Sequence, residues 1–245
     1  LRALGDVAAA GVDLQRGVSA AIAELARAGL DKQAPRSLKQ TTLETLSKLV
    51  ANPTYDGSGA AAGALLADSA ALLADDDLHL AHLAVRLDAA VLGAAATTTT
   101  GESAAAQQSL ASAASTKTLP AVVALIQSPL VQPGSVVLRS VGELLVAIAR
   151  RFGDTNTALG PDAVCAKVVD AACGGPARTG PTPDNKRPTS RGRAQQPMEV
   201  DAADDGSMGS RLAPTSRSDR QAAANAAACV AAVCAEAGSP AFRAT

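Results

Sequence analysis

The sequence predicts an all-α fold of stacked helical pairs, and three observations support this prediction. Alanine, the strongest helix former, supplies 58 of the 245 residues, whereas isoleucine supplies three and aromatic residues 1%. Long apolar side chains recur with helical spacing in several stretches. These stretches also repeat along the chain. Because β-branched and aromatic residues are scarce, the composition disfavours a sheet protein.

Eight helices in four pairs account for the apolar pattern. The clearest stripe is Leu80, Leu83, Leu87 and Val91, spaced i, i+3, i+7 and i+11. Leu38 falls on the corresponding stripe of the preceding pair. The first helices of the pairs are predicted at 18–30, 60–74, 119–127 and 161–172, and the second helices at 36–50, 77–92, 134–152 and 218–237.

The pairs recur with a period that is typical of helical solenoids. Leu46, Leu87, Val146 and Val230 occupy equivalent points, separated by 41, 59 and 84 residues. The first separation lies within the roughly 40–47 residues of two-helix solenoid repeats, and polar insertions account for the longer two. We therefore expect an α-solenoid of HEAT-type helical hairpin repeats with two disordered insertions. Its parts are HEAT repeats at 1–93, a low-complexity insertion at 94–118, HEAT helices at 119–173, a Pro/Gly/Ser/Arg-rich insertion at 174–217 and a truncated repeat helix at 218–245.

Charge and hydropathy argue against nucleic acid and membrane as partners. The chain has 22 basic and 23 acidic residues, so no global field attracts a polyanion. No uninterrupted apolar run reaches 18 residues, and we expect no transmembrane helix. Basic residues within 178–193 are compatible with a solvated loop or with a nuclear localisation patch.

The cysteines and histidines do not form a convincing metal or redox site in the sequence. Cys165 and Cys173 are eight residues apart, and Cys229 and Cys234 are five apart, so neither pair shares a helix face. Small, reduced, buried thiols are the expected state. His79 and His82 share a face, but a third ligand is missing, and helix capping by the preceding aspartates is the simpler interpretation.

Motifs of catalysis are also missing from the sequence. The glycine-rich stretch 57–63 resembles a phosphate-binding loop only loosely, because no strand precedes it and no lysine follows it. The sequence contains no G-x-S-x-G or H-E-x-x-H motif. We expect a protein that is not an enzyme, with no catalytic, cofactor-binding or metal-ligating residues and no small-molecule substrate.

Four segments, in order, resemble one family of HEAT proteins. They are residues 37–46 (SLKQTTLETL), 72–80 (LLADDDLHL), 125–134 (LIQSPLVQPG) and 227–234 (AACVAAVC). Each is similar to part of a repeat in the cullin-associated and neddylation-dissociated protein family. The resemblance would make this chain an internal fragment from the C-terminal half of a longer superhelix.

The resemblance implies a binding scaffold of the ubiquitin conjugation pathway. Members of the family wrap an unmodified cullin with its RING subunit, and they control the assembly of cullin–RING (SCF-type) ligases and the exchange of substrate receptors. The expected partner is then a cullin–RING core in its unmodified state, in the cytoplasm, the nucleus or both. Periodicity alone leaves a second interpretation, a generic HEAT adaptor of nuclear-transport or phosphatase-scaffold type.

The second helix of each pair is expected to supply the binding surface. In a solenoid these helices usually line the concave side, and function depends on a long surface rather than a pocket. Charged residues on them are either partner contacts or ordinary solvated side chains. The candidate partner-facing residues are Arg36, Lys39, Lys48, Arg86, Asp88, Arg139, Glu143, Arg150 and Arg151.

Overall fold

The computed structural model describes residues 18–51, 60–97, 104–153, 155–172 and 217–238. Within these ranges the chain forms helices and turns without any strand, so the predicted all-α class is confirmed. The helices are α1 (Val18–Gly29), α2 (Arg36–Val50), α3 (Ala60–Leu73), α4 (Leu78–Thr97), α5 (Ala104–Ala113), α6 (Leu119–Gln127), α7 (Val136–Phe152), α8 (Pro161–Ala172) and α9 (Arg217–Ala237). A π-helical turn (Ala114–Thr118) joins α5 to α6, and a 3-10 turn (Thr157–Leu159) precedes α8.

Side-chain caps and a glycine turn set the beginnings of the second helices. Asp77 precedes α4, and its Oδ1 accepts hydrogen bonds from the backbone N–H groups of His79 (3.0 Å) and Leu80 (3.4 Å). Ser135 caps α7 in the same way, with its Oγ 3.3 Å from the backbone nitrogen of Leu138. Gly134 before it has a φ of 77°, a left-handed conformation that glycine adopts without strain. The predicted capping role of the aspartates is therefore present at Asp77.

The prediction of a disordered insertion at 94–118 is wrong for residues 94–97, which end α4, and for residues 104–118. Residues 104–118 form α5 and the π-helical turn, and they continue into α6. Alanine and glutamine are good helix formers, and Leu110, Ala114 and Leu119 give the segment a buried face. The π turn precedes Pro120, whose ring would clash with a carbonyl of a regular α-helix, and the Leu119 N–H donates to the Ala114 carbonyl instead.

The structure describes almost none of the second predicted insertion. The predicted insertion at 174–217 lies outside the described residues except for Arg217, the first residue of α9.

The continuous helix Ala104–Gln127 has a window with a mean hydropathy of 1.3, so it is long and apolar enough to cross a bilayer. Since 44% of that window is buried within the fold, a core helix meets the same test.

The helices form two layers. One layer contains the second helices in chain order, since α2 packs on α4, α4 on α7 and α7 on α9. The other contains α1, α3, the α5–α6 helix and α8, each in contact with its successor. Helices α2 and α4 run in the same direction, because Arg36 at the start of α2 pairs with Asp77 just before α4. Helices α7 and α9 also run in the same direction. Gly142 of α7 lies beside Ala232 of α9, and nearer the C-terminal end of both helices Arg150 of α7 pairs with Glu236 of α9.

Leucines from both layers fill the core, and small side chains occupy the crossings between helices. Leu46, Leu87 and Leu144, one from each of three successive second helices, are buried. Leu38 is 37% exposed, so its predicted place on the core stripe of α2 is wrong. It lies in the first turn of α2, where the core has not yet been reached, and Leu43 is the first fully buried leucine of that helix.

Helix α9 is attached to the turn between α6 and α7 by two side-chain amides. The Asn225 Nδ2 group, in a fully buried side chain, donates to the carbonyls of Ile126 (3.1 Å) and Val131 (2.9 Å). Gln221, one turn earlier, donates to Val131 (2.7 Å) and to Pro129 (3.1 Å). These bonds satisfy turn carbonyls that would otherwise be buried without a donor.

Replacing Asn225 by aspartate should detach α9 at neutral pH. The carboxylate of Asn225→Asp cannot donate, and it would be buried against two carbonyl oxygens, so we expect a loss of about 2–4 kcal/mol in the free energy of unfolding. Gln221→Glu, nearer to solvent, should lose less. Urea unfolding followed by circular dichroism measures both. Equal losses for the two variants would contradict the assignment.

Candidate functional site

A groove of about 1420 Å³ runs along the exposed face of α7. Its walls come from the C-terminal part of α4 with α5 on one side, and from α9 on the other. This volume exceeds the roughly 300–1,000 Å³ of ordinary small-molecule pockets. The groove is therefore larger than an ordinary small-molecule pocket.

Helical periodicity places one stripe of α7 in this groove. Arg139, Glu143, Val146 and Arg150 are spaced i, i+4, i+7 and i+11, and all four line it. The opposite stripe, with Val141 and the leucines that follow, is buried in the core. Because α7 is amphipathic, one of its faces packs in the core and the opposite face lines the groove.

The groove carries charges of both signs. Arg139 lies toward the N-terminal end of α7, Glu143 in the middle and Arg150 with Arg151 toward the C-terminal end. The Arg150 guanidinium pairs with the Glu236 carboxylate of α9. Both side chains are partly exposed, 44% and 34%, so the pair contributes little to stability and mainly orients the wall of the groove.

His82 of α4 lies beside this charged stripe. Burial lowers the pKa of His82, the nearby Arg86 and His79 side chains lower it further, and Glu143 opposes them. Its Nδ1 atom is buried without a hydrogen-bond partner among the described residues. His82 is therefore neutral at neutral pH and contributes no positive charge to the site.

Four of the nine predicted partner-facing residues line the groove, namely Arg139, Glu143, Arg150 and Arg151. Three others are exposed on other helices of the same layer, namely Arg36, Lys48 and Arg86. Arg36 is paired with Asp77, whose pKa is lowered by its hydrogen bonds to that guanidinium and to backbone N–H groups. The sequence prediction therefore identified the charged face of α7, while its other exposed candidates lie outside the groove.

Two predicted contact residues are not available to a partner. Lys39 is buried along its stem, and its Nζ donates to the Lys32 carbonyl at 3.0 Å, so it closes the loop before α2. Asp88 is 0% exposed and faces α3. Both predictions are wrong because charge was taken as a sign of exposure, whereas a long stem or a local hydrogen bond allows burial.

Asp88 is held as a neutral acid. Burial raises its pKa well above the ordinary value, and its hydrogen bond with the Ser69 hydroxyl only partly offsets this. The Ser69 hydroxyl also lies 3.1 Å from the Leu66 carbonyl. The Ser69 hydroxyl donates to Asp88 Oδ1, so an acceptor oxygen on residue 88 keeps this contact between α4 and α3.

None of the predicted partner-facing residues lies on either wall of the groove. Gln107, Gln108 and Ser112 of α5 line one side, in a segment that was expected to be disordered. Glu236 and Ala232 of α9 line the other. The buried stripe of Leu110, Ala114 and Leu119 was the available signal for α5, whereas nothing local in α9 indicates that it lies beside α7.

The other candidate sites from the sequence do not form a cluster of functional side chains in the part of the chain that the structure describes. Among the described residues, no group of three histidine, cysteine, aspartate or glutamate side chains lies close enough to hold a metal ion. Of the glycine-rich stretch 57–63, residues 60–63 form the first turn of α3, and the rest lie outside the described ranges.

No protein family, curated protein or solved structure matches this chain.

The neutral state of Asp88 has a measurable consequence for stability. With a raised native pKa, its contribution is complete below the unfolded-state pKa near 4 and is lost as pH rises toward the native pKa, at up to about 1.4 kcal/mol per pH unit. Asp88→Asn can keep the hydrogen bond to Ser69 and should abolish this slope. Urea unfolding between pH 4.5 and 8 measures it. Exposed Asp170→Asn is the control and should keep the slope, and a slope that survives in Asp88→Asn would refute the assignment.

Proposed function

We propose that this chain is a non-catalytic protein-binding scaffold, a HEAT-type helical repeat stack that holds a segment of a partner protein against α7. The observation that carries this proposal is the layer of packed second helices, in which α7 presents a charged stripe to an open groove. The 41-residue separation of Leu46 and Leu87 agrees with such a stack.

The charge pattern of the groove favours a protein over a polyanion. Glu143 stands between Arg139 and Arg150, and Glu236 already engages Arg150. A phosphate backbone would be repelled at both carboxylates, whereas a protein surface can match alternating signs. Val146 and Ala147 between the charges offer apolar contact area. Rim charges of this kind act mainly on association rate and partner choice.

The resemblance of four segments to cullin-associated and neddylation-dissociated proteins supplies the specific partner of this proposal. It is a cullin with its RING subunit, without the ubiquitin-like modifier. One of those segments, 125–134, contains the turn between α6 and α7, which Asn225 and Gln221 of α9 hold from positions just before another of them, 227–234. In the other interpretation the same groove serves a HEAT adaptor with a different protein partner.

Size-exclusion chromatography with a purified cullin–RING core tests the partner. We expect co-elution with the unmodified core and none with the core that carries the modifier. Co-elution with both forms would contradict a role in exchange. The absence of co-elution with either form would reject the cullin–RING partner and favour the adaptor interpretation.

A charge reversal tests the groove itself. Arg139→Glu should weaken binding of the unmodified core about tenfold or more, chiefly through a slower association rate, because it removes a cation and adds a third carboxylate to the groove. Arg220→Glu, an equal charge change on the exposed start of α9 outside the groove, should stay within about twofold. Biolayer interferometry measures both rates. Equal effects of the two variants would show that only net charge matters.

A further inference from the structure

Two cysteines that are 69 positions apart in the sequence meet between α8 and α9. The Cys234 thiol is near enough to Cys165 to raise its pKa, and the two helices that carry them pack closely against each other. On α8, Cys165 follows the buried Val164. On α9, Cys234 follows the buried Val233. Each thiol therefore lies next to the buried stripe of its own helix, on the side facing the other helix.

The two thiols differ in their access to solvent. Cys234 is exposed, whereas Cys165 is half-buried. The third described cysteine, Cys229, points into the core. An exposed thiol with a second thiol close behind it is the arrangement of a reactive cysteine with its resolving partner.

We propose that Cys165 and Cys234 form a dithiol site for low-molecular-mass disulfides, which convert the pair into a disulfide that joins α8 to α9. The two helices already pack closely against each other, so the bond would form across an existing interface.

The reaction proceeds by two exchanges. The Cys234 thiolate attacks one sulfur of the reagent RSSR and forms a mixed disulfide, and the first RS⁻ leaves. The Cys165 thiolate then attacks the Cys234 sulfur and expels the second RS⁻. Both cysteines lose their protons, which are taken up by the two RS⁻ groups. Two protein thiols are oxidised, and one RSSR is reduced to two RSH.

The protonation states of the thiols determine which cysteine reacts first. Burial, together with the neighbouring Cys234 thiol, raises the pKa of Cys165 to about 11. Burial raises the pKa of Cys229 to about 12. Both thiols are protonated at neutral pH and are poor nucleophiles, so the exposed Cys234 reacts first. The second exchange should become faster as pH rises.

The bond would tie the last described helix to its neighbour. It would close the chain from 165 to 234, which includes all of the residues between α8 and α9. Helix α9 supplies Ala232 and Glu236 to the wall of the groove along α7, so the disulfide would hold that wall in place. The effect on stability does not depend on the function proposed for the groove.

Peptide mapping after treatment with oxidised glutathione tests the site. Tryptic digestion without reduction should give peptide 152–167, which contains Cys165, linked to peptide 221–243. Because the second peptide also contains Cys229, the link must persist in Cys229→Ala and disappear in Cys234→Ser. Cys165→Ser should instead accumulate glutathione on Cys234. A link through Cys173 in peptide 168–178, or a free Cys165 beside glutathionylated Cys234 in the unsubstituted chain, would overturn the proposal.

Thermal unfolding supplies a second readout. Oxidation should raise the Tm of the unsubstituted chain by about 5 °C or more, because the disulfide closes a long loop in the unfolded state. Cys229→Ala should show the same shift, and Cys165→Ser should show none. If the Tm of the cross-linked protein does not rise, the two thiols are not close together in the native fold and the proposal fails.

Discussion

Close approach of helices with small side chains is the constraint on which this structure depends. A Cβ atom on Gly142 would lie 3.3 Å from the Cβ atom of Ala232, so α7 and α9 meet almost backbone to backbone. Ala81, Ala84 and Ala149 are fully buried in the same layer. Because alanine buries little apolar area, leucines at the same interfaces must supply most of the hydrophobic stabilisation.

Directional polar contacts fix what small apolar side chains leave unspecified. Smooth alanine-rich helices can slide past one another at little cost, whereas a hydrogen bond tolerates only a narrow range of distance and angle. Asn225 fixes α9 on the turn before α7, and Asp88 with Ser69 fixes α4 on α3. Both side chains are fully buried, so breaking either contact leaves polar atoms without partners.

Helix α9 connects the features that matter for binding. The same helix holds the turn between α6 and α7 through its side-chain amides, forms a wall of the groove with Glu236 and presents Cys234 to α8. Asn225, Ala232 and Glu236 are spaced i, i+7 and i+11 and share one face of α9, whereas Cys234 lies on the opposite face.

The sequence by itself determined eight of the nine described helices and the charged face of α7, because periodicity and propensity are local properties. The predicted bounds of α2, α6 and α8 agree with the structure, and Arg139, Glu143 and Arg150 share the predicted face. The tertiary structure decided the rest. Charge did not reveal that Asp88 is buried, and spacing did not reveal that Cys165 meets Cys234, because burial and contact between distant segments arise only when helices pack.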